Sequence, residues 1–240
     1  MRRTDDPYAR IAAIYDVEFA DAVADLAWYA RNLDGGATLV LGCGTGRVAA
    51  TLAGSVTGVD RSEPMIAHAR AVHGRRVRWV VGDMRAFDLG LFDQIVIPNA
   101  SFAFLRTRAD QAACLAACAA ALRPGGRLVV DVPMPDVAWL HHAHTPEMPA
   151  WNGIVDGRPA RRTREVRRYP VAQRLELTDR YFLDEEPLAT SILVLRQTWP
   201  AEVEWMMEAA GMYVDRLIGD YADRPLHEGC PRLLVLAIKP

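Results

Sequence analysis

Three alternating glycines and a later aspartate form the part of the chain with the clearest chemical meaning. One apolar run stops at Gly42, Gly44 and Gly46, a helix-like segment follows, and a second apolar run ends at Asp60. Glycines let a ligand approach the backbone closely, a helix N-terminus supplies free N–H groups, and a carboxylate can accept both hydroxyls of a ribose. The order strand, glycine turn, helix, strand and acid therefore indicates a site for one end of a nucleoside-containing ligand.

The glycine spacing separates this pattern from two common nucleotide-binding loops. The dinucleotide fingerprint G-x-G-x-x-G/A needs a small residue where this chain has Arg47, and the P-loop pattern G-x-x-x-x-G-K-[ST] does not occur in the sequence. The remaining pattern, G-x-G-x-G, resembles the class I S-adenosylmethionine-dependent methyltransferases. One departure is Val40, which stands two residues before Gly42, where many members of that family have an acid.

The resemblance implies a site for S-adenosylmethionine, with S-adenosylhomocysteine as the product. In that family the glycine turn passes over the methionine part, the acid after strand two binds the ribose, and the N-terminal segment covers the cofactor. The implied cofactor contacts are Tyr15, Gly42, Cys43, Gly44, Gly46, Asp60, Arg61, Met65, Asp83, Met84, Pro98 and Asn99. Two of them have a structural alternative, because Gly82-Asp83 is also a common turn and Asn99 can cap a loop.

Methyl transfer is a displacement at the sulfonium carbon, so it needs alignment and exclusion of water rather than a covalent intermediate. Alignment can supply about 7–11 kcal/mol of the barrier. A deprotonated amine attacks directly, whereas a phenol or an alcohol benefits from a general base. We therefore expect a dry pocket with an aromatic lid and at most one base instead of a catalytic triad.

Candidates for the base and for acceptor binding lie near the N-terminus, after strand four and beyond strand five. The catalytic candidates are His142 and Tyr15. The acceptor-binding candidates are Tyr8, Phe19, Phe102, His141, Trp151, Arg167, Tyr169 and Tyr181. Structural alternatives stay open: Phe19 fits helix core better, Phe102 can pack beneath the pocket, and the arginine-rich run 158–168 fits a solvated strand face or a dimer contact. The histidine cluster at 141–144 can be a base, a metal site or a surface loop, and we expect no metal because a fourth ligand is missing nearby.

The composition is that of an ordinary globular protein. The 240 residues carry a net charge of −2, so no overall field draws the chain to nucleic acid or to a membrane, and we expect neither as a partner. The four scattered cysteines fit reduced core residues of a cytoplasmic enzyme, and the N-terminus lacks the apolar stretch of a secretory signal. The bias towards Ala and Arg is typical of a GC-rich bacterial genome.

Predicted strands and helices alternate as far as residue 133. The predicted helices span 8–31, 45–53, 62–73 and 108–122, and the predicted strands span 37–41, 55–59, 77–81, 92–97 and 127–132. Such alternation predicts a parallel sheet with helices on both faces and ligands beyond the carboxyl ends of the strands. Three alternating runs at 162–169, 174–183 and 188–196 then predict antiparallel strands, and a helix over 200–211 precedes strands at 212–217 and 233–238.

The resemblance covers nearly the whole chain and implies an α/β fold. That fold is a doubly wound, mostly parallel seven-stranded sheet with a small antiparallel β insertion after strand five. We expect residues 1–133 to form the N-terminal helices and cofactor-binding core, 134–198 the inserted subdomain on the acceptor side or at a dimer contact, and 199–240 the last helix and strands.

The insertion and the opening from Tyr8 to Asp16 resemble most the small-molecule N-methyltransferases of amino sugars, glycine and related amines. This implies methyl transfer to a small-molecule acceptor, with N-methylation slightly favoured. Two alternatives remain: O-methylation of a phenolic or hydroxylated natural product, and a protein of this fold that binds S-adenosylmethionine without transferring its methyl group. A homodimer through the insertion is a further expectation.

Overall fold

The computed structural model describes residues 6, 8, 10–33, 35–135 and 142–240, with the side chain of residue 13 left aside. The helices are α1 (Ala12–Glu18), α2 (Ala24–Asn32), α3 (Glu63–His73), α4 (Arg108–Ala121) and α5 (Pro200–Ala209). The strands are β1 (Ala37–Leu41), β2 (Ser55–Asp60), β3 (Arg78–Val81), β4 (Phe92–Ile97), β5 (Leu122–Pro133), β6 (His144–Val155), β7 (Arg158–Tyr169), β8 (Arg174–Leu183), β9 (Glu186–Arg196), β10 (Tyr213–Ile218) and β11 (Arg232–Ile238). None of the helices in the described ranges is long and apolar enough to cross a membrane.

The described strands form a seven-stranded sheet, ordered β10-β11-β5-β4-β1-β2-β3, and a four-stranded sheet, ordered β6-β7-β8-β9. Strands β1 to β5 are parallel, whereas β11 runs antiparallel to both β5 and β10. The chain order reverses between β1 and β4, and ligands of open α/β sheets bind at such a switch point. The predicted fold class, a mostly parallel seven-stranded α/β sheet with an antiparallel insertion after strand five, is confirmed.

Alternating side chains of the central strands bury both faces of the large sheet. Leu39 and Leu41 of β1 pack on the face covered by α4 and α5, whereas Val40 between them packs on the face covered by α2 and α3. Because both faces are covered, the central strands consist of nearly continuous apolar residues. This buried frame holds the carboxyl ends of β1, β2 and β4 side by side, which brings the three loops that follow them together.

Two predicted helices differ from the structure. The helix predicted over 8–31 is two helices separated by residues 19–23, so the break lies after the position around Asp16 where the pattern allowed one. The helix predicted over 45–53 is wrong, because only a 3₁₀ turn at Ala49–Thr51 forms there. Gly46 and Gly54 both have positive φ, at 90° and 82°, so the seven residues between them could form at most about two helical turns.

The insertion has one strand more than the sequence pattern predicted. Strand β6 was missed because it contains Pro146 and Pro149, which usually argue against a strand. Both prolines are tolerated because β6 is the edge of the small sheet and its pairing with β7 shifts register twice around them. Helix α1 packs on this sheet through Ile14 and the preceding Ile11, which belong to an apolar cluster that includes Tyr181.

Candidate functional site

A cleft of about 230 Å³ opens at the carboxyl ends of the parallel strands, where ligands of such sheets bind. Eleven of the twelve predicted cofactor contacts line it, the exception being Gly46. These residues are Tyr15, Gly42, Cys43, Gly44, Asp60, Arg61, Met65, Asp83, Met84, Pro98 and Asn99. Residues that the sequence did not single out also line the cleft, among them Arg47, Arg85, Ser101 and Asp110.

The glycine loop presents bare backbone to the cleft at one position and packs against the protein interior at another. A methyl group added at Gly44 would meet no atom within 4 Å, and φ at this residue is +54°, which glycine adopts without strain. A methyl group at Gly46 would instead lie 2.4 Å from the Trp79 ring. The predicted cofactor contact at Gly46 is therefore corrected: this glycine allows the loop to pack closely on β3.

Asp60 lies at the end of β2 beside the glycine loop. Its carboxylate accepts hydrogen bonds from the Gly44 N–H at 2.8 Å and the Ser62 N–H at 2.9 Å. Burial raises the pKa of this carboxyl, and the two N–H bonds offset part of that rise because they favour the ionised form. A carboxylate has about four acceptor positions, so Asp60 retains capacity for the two hydroxyls of a ribose. The residues present thus fit a nucleoside ligand.

Asp83 lines the cleft, and its carboxylate already has a strong partner. The Arg85 guanidinium donates to it at distances of 2.6 to 3.1 Å and also reaches Asp110 at 2.5 Å. This ion pair holds the pKa of Asp83 below its usual range. Asp83 also accepts a hydrogen bond from the Arg85 backbone N–H in a local turn. This residue therefore both forms the turn that the sequence suggested and lines the cleft.

The loop after β4 has a strained backbone held from beneath by a buried carboxylate. Asn99 and Ala100 both have positive φ, at 49° and 66°, which is uncommon outside glycine. The Asn99 N–H donates to the carboxylate of Asp131 at 3.3 Å, and the Ala100 N–H donates to the Asp131 carbonyl at 2.9 Å. Asp131, on β5, is fully buried and also accepts from Tyr29, Tyr221 and Arg232. Sequence reasoning did not detect this network.

Arg47 joins the glycine loop to the N-terminal helices. Its guanidinium donates to both carboxylate oxygens of the buried Asp25 and to the Ala22 carbonyl at 2.7 Å. The Asn99 amide donates to the same Asp25 carboxylate at 3.3 Å. Asp25 thereby ties the loops after β1 and β4 to the first turn of α2. The only sequence signal for the contact between Arg47 and Asp25 was Arg47 itself, a large charged residue at a position where dinucleotide-binding loops have a small one.

Two tyrosines of the N-terminal segment cover the cleft. The Tyr8 and Tyr15 rings pack edge to face with centroids 6.0 Å apart, and Tyr8 also packs on Phe104 at 6.0 Å. Burial raises the pKa of Tyr8 well above its usual value and that of Tyr15 to about 12. Asp6 accepts a hydrogen bond from the Ser62 hydroxyl at 2.5 Å, which fixes this segment next to Asp60.

Several predicted acceptor contacts lie away from the cleft. Phe102 is fully buried in the main core, so that prediction is wrong, and Phe104 lines the cleft in its place. Phe19 does not line the cleft and packs on the Tyr15 ring at 4.6 Å. Arg167 does not line the cleft: this residue is exposed and pairs with Glu165 at 3.0 Å.

The remaining predicted acceptor contacts and the predicted base belong to the small sheet or to the segment that precedes it. Tyr169 does not line the cleft, and its ring stacks with the Arg174 guanidinium at 3.9 Å near the β7–β8 turn. His142 is exposed and does not line the cleft, which argues against the predicted base, and His141 lies outside the described residues. Trp151 and Tyr181 belong to the apolar cluster that also contacts Tyr8. The described residues include no group of His, Cys, Asp or Glu arranged to hold a metal.

Comparisons with known proteins agree with this geometry. A methyltransferase-domain family model matches residues 39–126. The chain is 33% identical over 136 residues to the Bacillus subtilis (strain 168) protein YqeM, which is named as a methyltransferase, and this match spans 52% of the chain and 55% of that protein. It is 29% identical over 230 residues to the Streptomyces venezuelae dTDP-3-amino-3,4,6-trideoxy-alpha-D-glucopyranose N,N-dimethyltransferase, covering 90% of the chain and 91% of that protein.

Solved structures show the same fold over almost the full length. The CcbJ methyltransferase from Streptomyces caelestis has a TM-score of 0.82 at 24% identity and covers 98% of this chain and 99% of its own. The amino pentose methyltransferase CalS10 from Micromonospora echinaspora, solved with bound S-adenosylmethionine, has a TM-score of 0.67 at 27% identity and covers 92% and 90%. With the glycine loop, Asp60 and this fold together, the chain resembles the S-adenosylmethionine-dependent methyltransferases, and its residues 39–126 match a methyltransferase domain.

Proposed function

We propose that the chain transfers a methyl group from S-adenosylmethionine to the nitrogen of a small-molecule amine. The observation that carries the proposal is the chemistry of the cleft wall. The described residues lining it include no histidine, the carboxylates of Asp83 and Asp110 are paired with Arg85 and have lowered pKa values, and the tyrosines that cover the cleft, Tyr8 and Tyr15, have raised pKa values. Both hydroxyls stay protonated near neutral pH and are poor bases. An amine only has to lose its ammonium proton before it attacks, whereas an alcohol needs a base at the site.

In this proposal, the residues of the cleft bind and orient rather than react. S-adenosylmethionine, when bound, supplies an electrophilic methyl group on a sulfonium. Asp60 accepts the ribose hydroxyls while its bonds to the Gly44 and Ser62 N–H groups keep the carboxylate in position. The Ser101 hydroxyl donates to the Gly42 carbonyl at 3.1 Å, which joins the loops after β1 and β4 on the two sides of the cleft.

The aromatic cover supplies the other requirement, which is exclusion of water. Tyr8, Tyr15 and Phe104 form a continuous ring contact over the cleft. A covered site holds the nucleophile in line with the reacting carbon, and such alignment is worth about 7–11 kcal/mol. We assign Tyr15 a positioning role through its neutral hydroxyl and apolar ring, in place of the base that the sequence suggested as a candidate.

The named relatives support a particular acceptor class. The Streptomyces venezuelae relative is an N,N-dimethyltransferase of a dTDP-linked amino sugar, and the chain aligns with 91% of its length. The CalS10 structure is that of an amino pentose methyltransferase. Amino sugars are therefore the first acceptors to test, and simple amines such as glycine are the second.

A paired-acceptor assay tests the proposal. The purified protein is incubated with S-adenosylmethionine and either an amino sugar or its N-acetylated form, and products are identified by mass spectrometry. We expect methylation of the free amine and none of the acetylated control, since acetylation removes the nucleophilic lone pair. Methylation of both forms, or of a phenol panel only, would contradict N-methylation and favour O-methylation.

We also propose a cytoplasmic location and a homodimer. All four cysteines are buried and free, which supports a reducing compartment such as the bacterial cytoplasm. The small sheet exposes Ile154 and Ile192, at 60% and 56% of their surface, and such apolar side chains favour a contact between copies. Light scattering of the purified chain at several concentrations tests the dimer, and a monomer at all of them would overturn it.

A further inference from the structure

One arginine in the wall of the cleft is held in a fixed plane by two carboxylates. The Nε and Nη2 groups of Arg85 donate to the Asp83 carboxylate at 2.6 to 3.1 Å, and Nη1 donates to Asp110 at 2.5 Å. A guanidinium has five N–H donors in one plane, and three of them are committed to these two acids. The plane of the Arg85 guanidinium is therefore set before a ligand arrives.

The two carboxylates belong to different elements, and each is fixed by its own neighbours. Asp83 lies in the turn after β3, where it accepts the Arg85 backbone N–H at 2.9 Å. Asp110 lies in the first turn of α4 and accepts the hydroxyl of Thr107, the N-cap residue, at 2.7 Å. The pKa of Asp83 is lowered mainly by its hydrogen bonds from Arg85. The pKa of Asp110 is lowered by the Thr107 hydroxyl and by Arg85, so both carboxylates stay ionised at neutral pH and keep the guanidinium in place.

The faces of the Arg85 guanidinium are open to a ligand, because its bonds to the carboxylates lie in the plane of the group. The side chain lines the cleft and is 44% exposed. Within the described part of the chain, four other arginines have an aromatic ring within 6.0 Å and Arg85 has none; the four are Arg47, Arg161, Arg174 and Arg232. A planar cation with free faces is suited to stacking on an aromatic ligand.

The position of Asp60 relates Arg85 to the base of a bound nucleoside. The Asp60 carboxylate accepts the Gly44 N–H at 2.8 Å, and its carbonyl accepts the N–H of Gly82, next to Asp83, at 2.9 Å. A ribose held by Asp60 thus has the glycine loop on one side and the turn after β3 on the other. The glycine loop offers bare backbone at Gly44, which suits the charged amino-acid end of S-adenosylmethionine. The adenine then occupies the side of Asp83 and Arg85.

We propose that Arg85 binds the adenine of S-adenosylmethionine by stacking its guanidinium on the face of the purine, with Asp83 and Asp110 as the residues that orient it. Asp83 then acts on the cofactor through Arg85 rather than by accepting a hydrogen bond from the base. This role concerns affinity for the methyl donor and its product, so it is the same for a nitrogen or an oxygen acceptor. The inference goes beyond the proposed N-methylation and depends only on S-adenosylmethionine as the methyl donor.

Three ligands that differ in the base test the stacking by calorimetric titration of the full-length protein. S-adenosylhomocysteine carries adenine, S-inosylhomocysteine carries a purine without the amino group, and S-ribosylhomocysteine carries no base. For Arg85→Ala, we expect the Kd of both purine ligands to rise about tenfold, which corresponds to about 1.4 kcal/mol for a cation stacked on a ring. The Kd of S-ribosylhomocysteine should stay unchanged, because this ligand has no ring for Arg85 to contact.

Arg123→Ala is the matched control. Arg123 is 46% exposed and pairs with Asp93 at 2.7 Å, much as Arg85 pairs with Asp83, but it does not line the cleft. We expect this control to leave all three Kd values unchanged. Arg85→Lys keeps the positive charge between the two carboxylates and removes the planar group, so it should still bind both purine ligands at least about threefold more weakly than the wild type. Thermal unfolding of the free variants checks that each of them is folded.

The pattern over the three ligands decides the outcome. Unchanged purine affinity in Arg85→Ala, or wild-type affinity in Arg85→Lys, would overturn the stacking role. A loss for the adenine ligand alone would also overturn it, because that result would assign Arg85 to the amino group. Tighter binding of the adenine ligand would show that Arg85 competes with the base for Asp83, and an equal loss for all three ligands would point to general damage; either result overturns the proposal.

The wild-type protein separates this inference from the proposed function. If the wild type does not bind S-adenosylhomocysteine, S-adenosylmethionine is not the methyl donor and the proposed function fails. If the wild type and Arg85→Ala bind it equally well, the methyl donor stands and only the stacking role is refuted.

Discussion

Replacing Asp60 by alanine tests the cofactor site at its most specific side chain. The carboxylate is held by the Gly44 and Ser62 N–H groups at 2.8 and 2.9 Å, and its remaining acceptor positions are available to the ribose. Hydrogen bonds to a charged group contribute about 1.5–3 kcal/mol each, so losing two costs about 3–6 kcal/mol. Because Asp60 is only partly shielded from water, we expect the lower end of that range, which raises the Kd of S-adenosylmethionine roughly 100-fold.

Calorimetric titration with S-adenosylmethionine measures the loss, and thermal unfolding measures any damage to the fold. Asp93→Ala is the matched control. Asp93 also accepts a backbone N–H, from Ala37 at 2.7 Å, and pairs with Arg123, but it lies at the start of β4, at the opposite end of the sheet. We expect this control to bind S-adenosylmethionine like the wild type. A Kd for Asp60→Ala within about threefold of wild type would refute the ribose assignment, and an equal loss in both variants would point to destabilisation.

Three further predictions concern the glycine loop, the pH dependence and the residues excluded from the site. Gly44→Ala should weaken cofactor binding, because the added methyl group enters the open cleft. Gly46→Ala should mainly lower the melting temperature, because the added methyl group meets the Trp79 ring. Titration with S-adenosylmethionine and thermal unfolding of both variants distinguish the two effects. The acceptor amine must be deprotonated before it attacks, so kcat/KM should rise with pH up to the ammonium pKa of the acceptor. Because burial holds the pKa of Tyr15 at about 12, ionisation of this tyrosine should not lower kcat/KM below about pH 11. A rise of kcat/KM near neutral pH that is the same for acceptors of different pKa would contradict this and reveal a base on the enzyme. His142→Ala should retain wild-type turnover, and a loss of turnover would contradict the position of His142 outside the cleft. Phe102→Ala removes a fully buried ring and should lower the unfolding free energy by about 3–5 kcal/mol in a urea titration. Unchanged stability of that variant would contradict the position of Phe102 in the core.

The elements that position the cofactor could be predicted because their signals are local. Each central strand is a short apolar run, and the turn glycines and Asp60 directly follow two such runs. Parallel pairing of β1 with β2 then sets Leu41 opposite Val59, which brings the glycine loop and Asp60 together without any further information. The fold class and most of the residues that line the cleft follow from these short stretches.

The acceptor side of the cleft could not be predicted in the same way. It depends on which side chain of a turn faces inward and on contacts between residues far apart in the chain, and a single sequence defines neither. Phe102 and Phe104 lie on one 3₁₀ turn, and only the way this turn packs decides that Phe102 enters the core while Phe104 faces the cleft. The bond between Tyr29 and Asp131 joins residues 102 positions apart, and the salt bridge between Arg47 and Asp25 joins different elements. Nothing in the local pattern around these four residues marks them as partners.

Strand β6 shows how an edge can override a local rule. Two prolines in this strand predicted irregular structure, yet the edge position leaves one side of the strand without pairing demands.

The central claim, methyl transfer to nitrogen, is tested most directly by following the transferred carbon itself. The wild-type protein is incubated with S-adenosylmethionine labelled with ¹³C in its methyl group and with an amino sugar that offers both an amine and several hydroxyls. The product is then examined by ¹H–¹³C correlation NMR. Our account predicts a labelled N-methyl resonance and no O-methyl resonance. A labelled O-methyl group on the same acceptor would contradict it.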